Sequence, residues 1–132
     1  NNNNIYLTRK AKCYVNNRIC KTSTESNINN AILCTGFPSY SNINDDNLKK
    51  IVIKIQHWKK IRAIGSAAMS LAWVARGWVD AYIEEDIRIW DVAAGLALVQ
   101  AAGGKIFIKE NDRSNFVTAI ATNGKISLGE LK

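Results

Sequence analysis

The sequence predicts an α/β fold in which helices form a layer against β-sheets, a layered α/β sandwich. Short apolar runs typical of strands come before and after two segments, 66–75 and 91–102, that are apolar at almost every position. A helix that is apolar nearly all round must be buried on most sides, as it would be between sheets. The length of 132 residues suits one domain, which we assign to residues 1–132.

The first part of the chain predicts antiparallel strands. Three short runs are rich in β-branched, aromatic or apolar residues: 5–7, 13–15 and 18–20. Asn16 and Asn17 predict a tight turn between the last two runs, because asparagine tolerates positive φ. The polar stretch 21–30 predicts a loop with a short helical turn, and 31–35 predicts a buried strand.

Residues 44–60 predict an amphipathic helix. Its apolar residues follow the spacing i, i+3, i+4, i+7, at Leu48, Ile51, Val52 and Ile55. The β-branched run 51–55 leaves a strand open as an alternative for that part.

The remaining elements alternate in type. We predict a helix over 66–75 with Gly77 as its stop, then a strand over 79–84. A second apolar helix over 91–102 ends at the glycine pair that follows it. Two further strands, at 105–108 and 116–121, enclose a polar loop.

Composition narrows the classes of function. The net charge of +7 indicates affinity for anions, but a bias toward Ile, Asn and Lys explains it without a partner. The basic residues are scattered, so we do not expect nucleic-acid binding.

Three cysteines without a C-x-x-C pair indicate a reducing, cytoplasmic location. No run approaches the roughly 18 apolar residues of a membrane span. The single histidine, His57, is expected at the surface.

Two predicted helix starts carry candidate chemistry. Gly65 and Ser66 precede the first apolar helix, where free backbone N–H groups attract anions, although Ser66 can equally be a helix cap. Asp91 opens the second apolar helix and can bind a hard cation such as Mg²⁺, although a capping role is the competing interpretation. Glu84 begins an acidic cluster whose other members, Glu85 and Asp86, we expect in a solvated turn.

Taken together, these segments resemble the C-terminal signature of the inositol monophosphatase family. The resemblance rests on four strings: Gly65-Ser66-Ala67-Ala68, the run 72–82, Trp90-Asp91-Val92-Ala93-Ala94-Gly95, and Ala102-Gly103-Gly104. The run 35–38 resembles the bacterial members, and the region 10–19 is similar more weakly. The resemblance covers nearly the whole chain and implies the C-terminal part of that sugar-phosphatase fold.

The resemblance implies roles for individual residues. Asp91 matches an aspartate that holds catalytic Mg²⁺, and Glu84 matches a glutamate that contacts the ring hydroxyls of the substrate. The turn Gly65-Ser66-Ala67 matches a turn that contacts the substrate. Such enzymes hydrolyse phosphate monoesters of inositol or sugars with metal-activated water.

The sequence also departs from the family. The family's other metal ligands lie upstream in a glutamate-containing helix and a D-P-x-D-G-T segment, and neither is present here. The resemblance therefore implies that residues 1–132 lack the N-terminal metal-binding half, and we expect this chain alone to have little or no phosphatase activity. Arg62 and Asp80 match positions near the substrate pocket, where we expect structural support.

Several alternatives stay open. A bisphosphate nucleotidase or a fructose-bisphosphatase of the same superfamily would share these motifs. A degenerate homologue without catalysis, acting as an interaction or dimerisation module, would also lack the upstream ligands. The expected partners are a phosphorylated polyol or sugar and either a second copy, forming a homodimer, or a complementing N-terminal half.

Overall fold

The structure, a computed structural model, describes residues 6–9, 12–37, 45–127 and 129. The strands are β1 Tyr6–Arg9, β2 Lys12–Val15, β3 Arg18–Cys20, β4 Ile32–Thr35, β5 Lys60–Arg62, β6 Ala81–Arg88, β7 Lys105–Glu110 and β8 Phe116–Thr122. The helices are α1 Asp45–Ile55, α2 Ala67–Ala75 and α3 Ile89–Ala101, with a short 3₁₀ helix at Ile28–Asn30. Ile5 and Asn44, with which two predicted elements begin, lie outside the described residues.

The predicted hairpin is confirmed as part of a three-stranded antiparallel sheet in the order β1-β2-β3. Asn16 and Asn17 both have positive φ, 47° and 63°, as the turn that best fits the twist of two strands requires. Cys13, Val15 and Cys20 share one face of this sheet and are buried against the helices.

The second sheet has five strands in the order β5-β4-β6-β8-β7. β4 runs parallel to β5 and β6, whereas β8 runs antiparallel to β6 and β7. Successive residues of its central strands enter different apolar clusters. Cys34, Tyr82, Ala119 and Ala121 lie in one cluster, and Leu33, Ala81, Ile83 and Ile120 in the other. The central strands are therefore buried on both faces.

Helices α2 and α3 pack against each other and form the layer between the two sheets. α3 contacts β1 and β2 on one side and the β6–β8–β7 region on the other. This arrangement confirms the predicted layered α/β sandwich. Ile55, at the end of α1, packs on the opposite face of the five-stranded sheet.

Two expectations for the region 44–60 are corrected. The segment 51–55 is helical, so the strand alternative is wrong. The helix ends at Ile55 and not at Lys60, which belongs to β5. The apolar stripe of α1 is only partly covered, since Leu48 is 48% and Val52 50% exposed.

The expectation that α3 is buried on most sides is wrong. Three of its large apolar residues, Val92, Leu96 and Val99, are buried in the core, but Ala93, Ala94 and Ala97 are exposed. The other faces of α3 carry mostly alanines, so only one face of the helix packs against other described residues. The helix also begins at Ile89, two residues earlier than predicted.

The close approach of α2 to α3 depends on Gly95. A Cβ at this position would lie 2.6 Å from Cβ and 2.7 Å from Cδ1 of Leu71. Because Leu71 is fully buried, its side chain has little room to move away.

We predict that Gly95→Ala destabilises the fold by about 1–3 kcal/mol in urea unfolding, the usual cost of overpacking a core. The direction of the change in stability is informative, because Gly→Ala at a solvent-exposed helix position stabilises the fold by about 1 kcal/mol. Ala97→Ser, an exposed change on the same helix, is the control and should stay within about 0.5 kcal/mol of the original chain. A stabilised Gly95→Ala variant would mean that the two helices do not touch here.

Candidate functional site

A cavity of about 530 Å³ lies where four elements meet. Its lining comes from the end of β4, the start of α2, the middle of β6 and the start of α3: Thr35, Gly36, Phe37, Gly65, Ser66, Ala67, Ala68, Ser70, Glu84, Ile87, Trp90 and Asp91. Open α/β sheets commonly place their sites beyond the carboxyl ends of parallel strands, and the parallel strand β4 ends here.

The start of α2 and the turn before it line this cavity. Gly65 has φ +75°, which suits glycine in the turn before the helix. Ser66 is the N-cap, and its Oγ accepts a hydrogen bond from Met69 N at 3.3 Å. The N–H groups of Ala67 and Ala68 belong to the first helical turn, where no intrahelical acceptor exists. Ser66 therefore caps the helix and lines the cavity at once.

The carboxylate of Glu84 is held in place on two sides. Tyr82 Oη donates a hydrogen bond of 2.7 Å to Glu84 Oε2, and both residues lie on β6 two positions apart, hence on the same face. On the other side lies Gly36, where a Cβ would overlap both carboxylate oxygens. These contacts fix the orientation of a side chain that is only partly buried.

The electrostatic surroundings favour the neutral form of Glu84. Burial raises the pKa of its carboxyl above the ordinary value of 4.5, and the nearby charge of Asp91 raises this pKa further. The hydrogen bond from Tyr82 acts in the opposite direction. Burial also raises the pKa of Tyr82, so the phenol stays protonated and remains a donor.

Asp91 lies in the first turn of α3 and is exposed. A carboxylate there interacts favourably with the helix dipole. The interpretation of Asp91 as the helix cap is wrong, because the N-cap is Arg88, which makes no side-chain capping hydrogen bond. The Asp91 side chain lines the cavity, where its oxygens can serve a ligand.

The structure thus brings five of the seven predicted site residues together: Gly65, Ser66, Ala67, Glu84 and Asp91. The other two do not line the cavity. Arg62 is exposed on the edge strand β5 and donates to the carbonyl of Ile61 at 3.1 Å. Asp80 is buried and accepts hydrogen bonds from Ser23 Oγ and, at 2.7 Å, from Ile32 N.

Glu85 and Asp86 lie within β6, so the expectation that they form a solvated turn is wrong, and neither lines the cavity. Glu85 is exposed and forms an ion pair with Lys54. Asp86 has φ 56° at an irregularity in the pairing of β6 with β8, and its carboxylate lies 3.8 Å from Arg113.

Seven residues of the cavity lining were not among the predicted site residues: Thr35, Gly36, Phe37, Ala68, Ser70, Ile87 and Trp90. Ser70 was detectable, because it follows Ser66 by four positions and therefore shares its helix face; its Oγ donates to Ser66 O at 2.9 Å. No sequence pattern pointed to Ile87, which lines the cavity at the irregularity in β6.

Comparison with known proteins identifies the relatives. A model of the inositol monophosphatase family matches residues 1–123. A protein of Xylella fastidiosa named Nus factor SuhB is 39% identical over 100 residues, covering 75% of this chain and 36% of that protein. An inositol-1-monophosphatase of Synechocystis is 34% identical over 116 residues, covering 85% of this chain and 40% of that protein.

Two solved structures have the same fold as this chain. The extragenic suppressor protein SuhB of Bartonella henselae superimposes with a TM-score of 0.76 at 30% identity, over 94% of this chain and 49% of that one. An inositol monophosphatase of Anabaena gives a TM-score of 0.73 at 34% identity, over 86% and 46% of the two chains. The chain spans less than half the length of each of these relatives.

We predict that Tyr82→Phe raises the pKa of Glu84 further, because the variant loses the hydrogen bond that stabilises the carboxylate. A ¹³C NMR titration of the Glu84 carboxyl measures this directly. Tyr14→Phe, in the hairpin sheet, is the control and should leave the titration unchanged. An unchanged pKa in Tyr82→Phe would show that the phenol does not donate to Glu84.

We further predict that Glu84→Gln stabilises the fold at pH 7 and that the gain shrinks toward pH 4. Below the ordinary pKa of 4.5, Glu84 is protonated in the folded and unfolded chains alike. As pH rises from 4.5 toward the raised pKa, the unfolded chain loses its proton while the folded chain keeps it, so the free energy of unfolding falls. Glutamine removes that loss.

Urea unfolding at a series of pH values tests this second prediction. Glu85→Gln, which breaks only an exposed ion pair, should cost at most about 1 kcal/mol. The prediction is contradicted if the gain in free energy of unfolding from Glu84→Gln, relative to the original chain, is smaller at pH 7 than at pH 4.

Proposed function

The chain belongs to the inositol monophosphatase family, and we propose that it supplies the substrate-contacting wall and one metal ligand of a Mg²⁺-dependent phosphatase acting on inositol or sugar phosphate monoesters. The observation that carries the proposal is the shared cavity. The start of α2, Glu84 and Asp91 come from three separate elements and line the same space.

The donors of this cavity fit Mg²⁺ in part. Mg²⁺ prefers oxygen ligands and is often held by one or two carboxylates together with waters and substrate phosphate. Asp91 would be the ligand contributed by this chain. Among the described residues there is no group of three or more His, Cys, Asp or Glu that could hold a metal ion, so further ligands have to come from elsewhere. When bound, the metal would supply an activated water and stabilise the leaving oxygen.

The chain's own residues would bind and orient the substrate. Ala67 and Ala68 line the cavity at a helix start, where backbone N–H groups can donate hydrogen bonds to the phosphate oxygens. Glu84, held by Tyr82 and Gly36, can accept hydrogen bonds from the substrate's hydroxyls. The carboxyl group of Glu84 offers no positive charge to a second phosphate, which favours monoesters over the bisphosphate substrates of the alternative enzymes.

The missing ligands would come from an N-terminal half, in the same polypeptide or a separate one. The length supports this, because the chain covers only 36–40% of the curated relatives above. The surface next to the cavity supports it too: Trp90 is 55% exposed, and the exposed alanines at 93, 94 and 97 continue from it along α3. A second copy, forming a homodimer, is the other partner we propose for such a surface.

We also propose a reducing, cytoplasmic location, which the free thiols of all three cysteines support. None of the described helices is long and apolar enough to cross a membrane.

A second candidate is a non-catalytic interaction module. It is favoured by one observation, that relatives of similar identity include both proteins named inositol-1-monophosphatase and proteins named Nus factor SuhB. A module of this kind would keep the fold without needing the cavity's ligand-binding groups.

We predict that the chain alone releases no phosphate above background from inositol 1-phosphate or a panel of sugar phosphates and bisphosphates, with or without Mg²⁺, because one carboxylate holds Mg²⁺ weakly. Phosphate release is measured colorimetrically. Mg²⁺-dependent turnover that disappears in Asp91→Asn would show a complete site and contradict the predicted inactivity.

The metal role of Asp91 is tested in the same samples with Mn²⁺, a paramagnetic substitute for Mg²⁺. NMR signals at the start of α3 should broaden first, and Asp91→Asn should remove this selectivity. Glu110→Gln, at an exposed carboxylate outside the cavity lining, should retain it. Broadening that is unchanged in Asp91→Asn would favour the non-catalytic module.

A further inference from the structure

Two of the three cysteines face each other across the hairpin sheet. Cys13 on β2 and Cys20 on β3 are direct partners in the antiparallel register. Their sulfur atoms lie 2.8 Å apart, with the Cys20 thiol donating to Cys13 Sγ. Cys34 belongs to β4 in the other sheet.

The backbone geometry of such a pair suits a covalent bond. Directly opposed residues of antiparallel strands have Cα atoms about 4.5–5.5 Å apart. Disulfides span Cα separations of about 4.4–6.8 Å. The two side chains share a face and their sulfur atoms are already in contact, so the pair is placed for a bond between these strands.

We propose that Cys13 and Cys20 form a redox-active pair that closes to an intramolecular disulfide on reaction with a low-molecular-weight disulfide such as glutathione disulfide. The proposal assigns a modification site to the hairpin sheet and is independent of the proposed phosphatase function.

The reaction balances in two exchange steps. The Cys20 thiolate attacks one sulfur of glutathione disulfide, forms a mixed disulfide and releases one glutathione thiolate. The Cys13 thiolate then attacks Cys20 Sγ of the mixed disulfide, forms the Cys13–Cys20 bond and releases the second glutathione thiolate. The two protein thiols are oxidised, glutathione disulfide is reduced, and the two protein protons pass to the two glutathione thiolates.

The order of the steps follows from burial. Cys20 is 8% exposed and Cys13 is 0% exposed, so the external disulfide meets Cys20 first. Burial, with the neighbouring Cys20 thiol, raises the pKa of Cys13 to about 12. Cys13 is therefore a poor nucleophile toward reagents in solution, and its reaction depends on being held against its partner.

The consequence is a thermodynamic coupling between folding and oxidation. If the native fold holds the two thiols together, the folded chain must favour the disulfide more strongly than the unfolded chain does. By the same linkage the disulfide stabilises the fold. In a reducing compartment the pair rests as thiols, and a rise in disulfide oxidants closes it.

The test compares the redox equilibrium of the pair in the native and the urea-unfolded chain. A Cys34→Ala version of the chain is used in both arms, so that only one intramolecular bond can form. Each arm is equilibrated in buffers of glutathione and glutathione disulfide, starting once from the reduced and once from the oxidised chain. After an acid quench and alkylation, mass spectrometry gives the oxidised fraction.

We expect the ratio [GSH]²/[GSSG] at half oxidation to be at least about tenfold higher for the native chain than for the unfolded chain. Peptide mapping of the unmutated chain should show Cys13 joined to Cys20, with Cys34 alkylated. An equal or lower ratio in the native chain, or a native bond that includes Cys34, would overturn the proposal. Equal oxidised fractions from the reduced and the oxidised starting chain show that equilibrium has been reached in each arm.

Discussion

The contact between α2 and α3 is the constraint on which the candidate site depends. The two helices meet where Leu71 packs against Gly95, about one turn into α2 and nearly two turns into α3. Ser66 lies five residues before Leu71 in α2, and Asp91 lies four residues before Gly95 in α3. A helix start that attracts anions and a carboxylate that attracts cations are thereby brought to one cavity. A larger residue at position 95 would separate them.

Two carboxylates close together in the sequence, Asp80 and Glu84, differ in how fully they are hydrogen-bonded. Asp80 is 7% exposed and fully engaged, because it accepts from Ser23 and Ile32 and so ties β4 to the start of β6. Glu84, four residues further along, accepts a hydrogen bond from Tyr82 alone among the described residues and has a raised pKa. An incompletely satisfied carboxylate in a cavity lowers stability, and such a cost is typical of sites adapted for binding.

The sequence predicted most of the fold because its signals were local. Asn16 and Asn17 marked the hairpin turn, and the two glycines after α3 marked its end. It also pointed to the cavity through the motifs around Ser66 and Asp91. It could not predict that one face of α3 is left uncovered, since alanines look alike whether packed or exposed. Nor could it show that Gly36 makes room for Glu84 or that Cys13 touches Cys20, because each depends on strand pairing.

The central claim is that the start of α2, Glu84 and Asp91 form one site for a phosphate monoester. The most direct measurement is an NMR titration of the chain with inositol 1-phosphate in the presence of Mg²⁺, followed by mapping of the amide shifts. The account predicts that the largest shifts occur at Ala67 and Ala68 and at the start of α3, and that Glu84→Gln and Asp91→Asn weaken them. Shifts that map to the exposed face of α1 or to the hairpin sheet, and that persist in both variants, would contradict it.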